Sequence, residues 1–302
     1  MSAATLAGCA SAPATVDDDG PSVLVSFYPL QFLAERIGGP DTAISSLTPP
    51  GAEPHDLELS PAQVANVGRA DLVVYVAGFQ AAVDEAIAAR TPAHVVDAAA
   101  LTNLTPLAAE TSPCPTPDTS ETAICEAPNR ADEPLDPHFW LDPTRMEPVA
   151  DAIADALSGI APDRAETYKA NRDQTVSDLI DLDERFEEGL ATCANRTIVA
   201  THAAFGYMAA RYGLTQLSVG GIDPDAEPSP ARIREVAALL EGTGATTVFF
   251  ESQASPEIAR TLADQVGLTA EVLDPLEAAG DGNYLTRMST DLATLRAALQ
   301  CQ

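Results

Sequence analysis

The feature that most constrains the fold is an alternation of short apolar runs with helical patterns. It occurs twice, on either side of a block that is helical throughout. The runs 23–28 (VLVSFY), 44–47, 72–76 (LVVYV) and 94–96 alternate with helical patterns over 29–37, 61–69 and 79–89. Uninterrupted apolar runs of this length read as strands buried on both faces. When helices separate them, the economical arrangement is a parallel sheet with helices on both sides. The alternation restarts with strands at 197–201 (TIVAT), 218–221, 247–250 (TVFF) and 271–273, and helices at 205–212, 230–243, 256–266 and 284–299.

Between the two halves, 143–190 is largely helical. One helix covers 146–157. A longer one covers 163–190, with Val176, Leu179, Ile180, Leu182 and Phe186 near helical spacing. A helix of about 27 residues spans roughly 40 Å, enough to cross from one lobe to another as a stiff connector. The expected fold is therefore α/β: two Rossmann-like lobes with parallel sheets, joined by a long rigid backbone helix. The chain divides into a tether (1–20), an N-terminal lobe (21–143), linking helices (144–192) and a C-terminal lobe (193–302). The first lobe carries an acidic, Pro-rich loop at 103–133. A chain of 302 residues is long for one core, and its 46% hydrophobic content can fill two. No apolar run reaches the length of a membrane span.

Charge narrows the function. The net charge is −29, from 45 acidic and 16 basic residues. Such a surface repels phosphate backbones and anionic headgroups, so no nucleic-acid partner is expected, and contact with a membrane only through a lipid anchor. It does not repel cations.

Five cysteines occur: Cys9, Cys114, Cys125, Cys193 and Cys301. None forms a C-x-x-C pair, so a thiolate metal site has no support. Leu6-Ala7-Gly8-Cys9 resembles the lipobox of bacterial lipoproteins, which makes Cys9 a candidate lipidation site. The leader is incomplete as read, with no Lys or Arg before Cys9. The remaining four cysteines suit an oxidising compartment, hence an extracytoplasmic location in the periplasm or at the cell surface. Cys114–Cys125 would close a local loop, and Cys193–Cys301 would tie the chain terminus to the second lobe. Four cysteines allow three pairings, and the sequence leaves these open.

The chemistry falls on the histidines, of which there are four. His55 lies in a turn-rich loop after the second strand. His138 lies where ordered patterning resumes, in Asp136-Pro137-His138. His202 directly follows the strand 197–201. In parallel α/β sheets ligands bind beyond the carboxyl ends of the strands, where these loops gather. His94 sits inside an apolar stretch and reads as structural. Imidazole nitrogens suit Zn²⁺, and three of them with one carboxylate complete a tetrahedron.

The segments GAEPHDLELSP (51–61), DPHFWLDP (136–143), ATHAAFGYMAARYGL (200–214) and FFESQASP (249–256) resemble the solute-binding receptors of bacterial ABC importers for zinc and manganese, the cluster A-I family. The resemblance runs from about 23 to 299. It implies two α/β lobes with a backbone helix and metal ligands at His55, His138, His202 and Asp281. It also implies a supporting role for Glu251, orienting a histidine. Manganese-selective relatives often carry a carboxylate where His202 stands, so the donor set favours Zn²⁺ over Mn²⁺. The implied partner is the permease of an ABC importer, with a metallochaperone as a second candidate, and the receptor is expected to act as a monomer without catalysis. An adhesin or metallochaperone of the same fold would need the same site. A zinc metallohydrolase, with Glu53 or Glu251 as base, is the competing class. Neither H-E-x-x-H nor G-x-S-x-G is present, and a fourth protein ligand would close the position that a hydrolytic water needs.

Overall fold

The computed structural model describes residues 20–106, 135–221, 229–240, 242–251 and 256–302. Cys9, Cys114 and Cys125, and with them the expected lipidation site and the Cys114–Cys125 pair, lie outside these residues, as does most of the 103–133 loop.

The first half builds strands β1 (Ser22–Val25), β2 (Ala43–Ser46), β3 (Leu72–Tyr75) and β4 (Val95–Asp97), with helices α1 (Tyr28–Gly38), α2 (Pro61–Val67), α3 (Ala81–Arg90) and α4 (Ala98–Thr102) between and after them. The second half builds β5 (Thr197–Ala200), β6 (Thr215–Ser218), β7 (Thr247–Phe250) and β8 (Thr269–Val272), with α7 (Gly206–Arg211), α8 (Pro230–Leu240), α9 (Pro256–Val266) and α10 (Tyr284–Ala298). Each half forms one four-stranded parallel sheet, in the orders β2-β1-β3-β4 and β6-β5-β7-β8. In both, the chain steps to one side of its first strand and then crosses to the other. The strand order therefore reverses between β1 and β3, and again between β5 and β7.

Two helices join the halves, α5 (Pro143–Ile160) and α6 (Ala165–Leu190). Asp142 caps α5 by accepting the Thr144 N–H at 3.1 Å, and Pro143 suits the first helical turn. α6 packs along α5 and α1 and reaches α10. Its first half and middle are tied to α1: Asn171 donates to the Ile37 carbonyl at 2.9 Å, and Asp178 pairs with Arg36. Its C-terminal half is tied to the second lobe, where buried Asp183 accepts Arg211 Nε at 3.0 Å and the Tyr212 hydroxyl at 3.0 Å. One apolar core runs through both halves, from Val23 and Phe27 through Met146 and Phe186 to Phe249 and Leu295. Smaller clusters fill the outer faces of the two sheets.

The strand expected at 23–28 ends at Val25, and Tyr28 already opens α1; the other main differences lie in weakly apolar segments. The strand expected at 218–221 lies at Thr215–Ser218, in register with Thr197–Ala200. It is an edge strand and only partly buried, so its composition carries little apolar signal. The short helix α4 follows β4 directly and begins at Asp97, whose carboxylate accepts the Ala99 N–H at 3.0 Å. Cys193 and Cys301 are joined by a disulfide, which ties the residues just after α10 to the approach to β5.

Candidate metal centre

His202 lies two residues beyond β5 and Glu251 immediately beyond β7, on the two sides of the strand reversal in the second sheet. His55 is presented by the β2–α2 loop. This loop is pinned by buried Gln80, whose amide donates to the Pro54 carbonyl at 3.0 Å and to Thr48 Oγ1 at 3.1 Å. His138 precedes a short 3₁₀ turn, Phe139–Leu141, that leads into α5.

The three imidazoles converge. Ring centroids are 4.9 Å apart for His138 and His202, 5.4 Å for His55 and His138, and 5.5 Å for His55 and His202. A carboxylate joins them, but it is Glu277 and not Asp281. One ligand atom from each of His55, His138, His202 and Glu277 lies within 4.8 Å of every other. Glu277 Oε1 is 2.9 Å from His138 Nε2 and 3.4 Å from His55 Nε2. Ligands of a tetrahedral ion with bonds of about 2.0–2.1 Å lie about 3.3 Å apart, so small side-chain rotations bring the four into coordination. Asp281 is exposed, in the turn before α10, and takes no part in this group.

Glu277 is placed by its backbone. Leu276, fully buried, has φ of 59°, a left-handed conformation that is costly for a leucine. Three bonds hold it there. The Leu276 N–H donates to Asp274 Oδ1 at 2.9 Å, the Asp274 N–H donates to Asp291 Oδ1 at 3.1 Å, and Trp140 Nε1 donates to the Pro275 carbonyl at 2.7 Å. Beyond Glu277, Arg287 Nη1 donates to the Ala278 carbonyl at 2.7 Å. The local sequence held a hint: Glu277 sits in Leu276-Glu277-Ala278-Ala279, an apolar setting unusual for a carboxylate, whereas Asp281 lies between glycines, where turns are expected.

Two of the imidazoles are backed by carboxylates. His138 Nδ1 meets Asp136 Oδ1 at 2.7 Å, and His202 Nδ1 meets Glu251 Oε1. A carboxylate accepting from Nδ1 fixes the ring and leaves the Nε2 lone pair free in the neutral tautomer. Asp136 was not singled out from the sequence. Its place two residues before His138, where it also accepts the His138 N–H at 3.0 Å, was the available signal. Gly206 permits the Asp136 approach, because a Cβ there would come within 2.8 Å of Asp136 Oδ2. His94 is exposed before β4 and outside the cluster.

The electrostatics follow from burial. Burial alone would pull the His138 pKa down, but its bonds to Asp136 and Glu277 outweigh this and raise it to about 9. Burial pushes Glu277 up, yet the hydrogen bonds from His138 and His55 hold it well below the usual carboxylate range. Glu53, half-buried nearby, is raised to about 7 by burial and by the charge of Glu277. Among the described residues, His202 Nε2 and Glu277 Oε2 are buried without a hydrogen-bond partner. Such groups cost about 1–3 kcal/mol each if left unmatched. A cation bound among the three imidazoles would satisfy both.

A family model described as the periplasmic component A of zinc-uptake complexes, ZnuA, matches residues 23–298. Zinc-binding protein AdcA of Streptococcus pyogenes serotype M6 is 34% identical over 287 residues, covering 91% of this chain and 55% of AdcA. This chain thus spans little more than half the length of that relative. The high-affinity zinc uptake system protein ZnuA of Bacillus subtilis is 29% identical over 273 residues, covering 89% of this chain and 83% of its own. The Zn(II)-bound ZnuA-like domain of Streptococcus pneumoniae AdcA superposes with a TM-score of 0.74 at 28% identity, covering 93% of this chain and 99% of that one. Laminin-binding protein Lmb of Streptococcus agalactiae, described as bifunctional with adhesin and metal transporting activity, gives 0.77 at 29% identity, covering 93% and 100%.

Proposed function

This chain belongs to the ZnuA family of zinc-uptake components, and on that basis we propose that it is an extracytoplasmic receptor that captures one Zn²⁺ between its lobes and delivers it to the permease of an ABC importer. The ligands are His55, His138, His202 and Glu277, the last replacing Asp281 in the set expected from sequence. The lobes are 21–143 and 193–302, linked through 144–192. A lipid on Cys9 holds the receptor, a monomer, at the membrane.

The observation that carries this reading is the buried, unpartnered Nε2 of His202, which shares one small space with two further imidazoles and the unpartnered Oε2 of Glu277. Three nitrogens and one carboxylate suit Zn²⁺ better than Mn²⁺, which prefers an oxygen-rich shell. Four protein ligands complete a tetrahedron and leave no position for a reactive water, so the site binds and releases without catalysis. Asp136 and Glu251 keep the His138 and His202 rings turned inward, so little reorganisation accompanies capture.

Titration against a chromogenic zinc chelator tests the proposal. The wild-type protein is expected to take up one Zn²⁺. His202→Ala should weaken binding by at least about 100-fold, more than is usual for losing an outer partner of a ligand. Wild-type affinity in His202→Ala would refute the site.

A further inference from the structure

A second set of groups adjoins the imidazoles. Glu53, Glu251 and Glu277 each bring a carboxylate oxygen within 4.8 Å of the others. Glu53 belongs to this oxygen triad but not to the imidazole set, whereas Glu277 belongs to both. Glu277 is 3% exposed, and while Oε1 faces His55 and His138, Oε2 has no partner. Glu251 is 6% exposed, with Oε1 on His202. Glu53 alone of the three is partly open to solvent. It is held in place, since its Oε1 accepts the His55 N–H at 2.9 Å. His55 is in turn the least buried of the three converging histidines, its side chain 12% exposed.

We propose that Glu53, Glu251 and Glu277 form an oxygen port through which the ion enters and leaves the imidazole chamber, with Glu53 as the outer ligand. This inference rests on the receptor reading above and extends it to kinetics. A hydrated divalent cation carries oxygen ligands, and carboxylates replace those waters one at a time without demanding the geometry of the final site. Carboxylates gathered beside the imidazoles raise the local concentration of cations and speed capture. Glu277, shared by the two sets, passes the ion inward, its Oε1 already facing His55 and His138. Glu53 drops out once the three Nε2 atoms engage. Because it stabilises the crossing and not the bound state, it accelerates both directions and leaves the equilibrium nearly unchanged.

The single tryptophan, Trp140, supplies the readout, since its ring lies 5.1 Å from that of His138. The full chain, stripped of metal, is mixed with Zn²⁺ in a stopped-flow instrument and followed by Trp140 fluorescence. Dissociation is then measured with excess chelator. Glu53→Gln keeps an oxygen to accept the His55 N–H, so the loop stays folded. It is expected to slow association by about tenfold, within the range that electrostatic guidance supplies, with dissociation slowed in similar proportion and the Kd within about threefold of wild type. Glu58→Gln, which removes an exposed carboxylate of the same loop, should leave both rates unchanged. An unchanged association rate in Glu53→Gln overturns the port. So does faster dissociation alone, which would make Glu53 an ordinary ligand, or equal slowing by Glu58→Gln, which would make the effect one of overall charge. A wild-type protein that takes up no Zn²⁺ instead refutes the receptor reading, and the port with it.

Discussion

At the residue scale, the decisive choice is between two carboxylates of one loop. Glu277 is buried with one oxygen on two imidazoles, while Asp281 is exposed in the turn that leads to α10. Glu277→Ala removes a proposed ligand and leaves charged or polar imidazole edges unmatched, and zinc affinity is expected to fall by at least about tenfold. Asp281→Ala should leave it within about twofold, as is usual for a surface substitution away from special features. Calorimetric titration of the two variants distinguishes them, and a reversal of the order would return the fourth position to Asp281. The three histidines were legible in the sequence because the residue type is rare here and because each adjoins a strand end or the start of ordered patterning. The carboxylate that joins them was not, because 45 acidic residues offer no such contrast. What selects Glu277 is the left-handed Leu276 and the Trp140 bond to Pro275, and both depend on contacts far apart in the chain. The Glu251 bond to His202 is likewise tertiary, although Glu251 stood at a recognisable strand end, whereas the Asp136 bond to His138 is local, two residues apart.

At the element scale, α10 is the support against which the Glu277 loop is built. Asn283 caps it, with its side chain accepting the Thr286 N–H at 3.0 Å and Thr286 Oγ1 accepting the Asn283 N–H at 2.9 Å. Arg287 pairs with Asp274 at 2.6 Å and lies 5.0 Å from the ring centre of Tyr28 in α1, so the loop is held from both lobes. Asp291, 3% exposed, completes the support and leaves Oδ2 unpartnered. Burial raises its pKa to about 8, against the opposing bond from the Asp274 N–H. The folded state therefore holds a proton that the unfolded chain, with an ordinary aspartate pKa, has released. The sign follows: this group's contribution is fully present below pH about 4 and is lost as pH rises through about 8. Asp291→Asn keeps an acceptor for Asp274 without that penalty. Denaturant unfolding should find it gaining on the wild type between pH 5 and pH 8, by at least about 1.4 kcal/mol at the upper end, the equivalent of one pKa unit. A stability difference that does not change with pH would contradict this. The central strands β1, β3, β5 and β7 were readable because both faces are covered and their runs are apolar throughout. The edge strands β2, β4, β6 and β8 are partly exposed, which is why β6 was expected three residues late.

At the scale of the whole molecule, the proposed ligands His55 and His202 lie beyond the C-terminal ends of β2 and β5, while the Cys193–Cys301 bridge lies before β5, at the other end of the second sheet. The site and the covalent tie are thus separated, and the core that runs through α5 and α6 makes the two lobes one mechanical unit. Binding by such a body draws on side-chain rotation and loop adjustment near His55 more than on hinge closure. The tendency of the chain to alternate strand and helix was visible from the order of its apolar runs and helical patterns, but the meeting of four loops in one space is a property of the assembled lobes. X-ray absorption at the zinc edge, on protein loaded with one equivalent of Zn²⁺, tests that meeting most directly. The account predicts a four-coordinate ion with three imidazoles and one carboxylate at about 2.0–2.1 Å and no sulfur, whereas a sulfur shell near 2.3 Å, or fewer than two imidazoles, would contradict it.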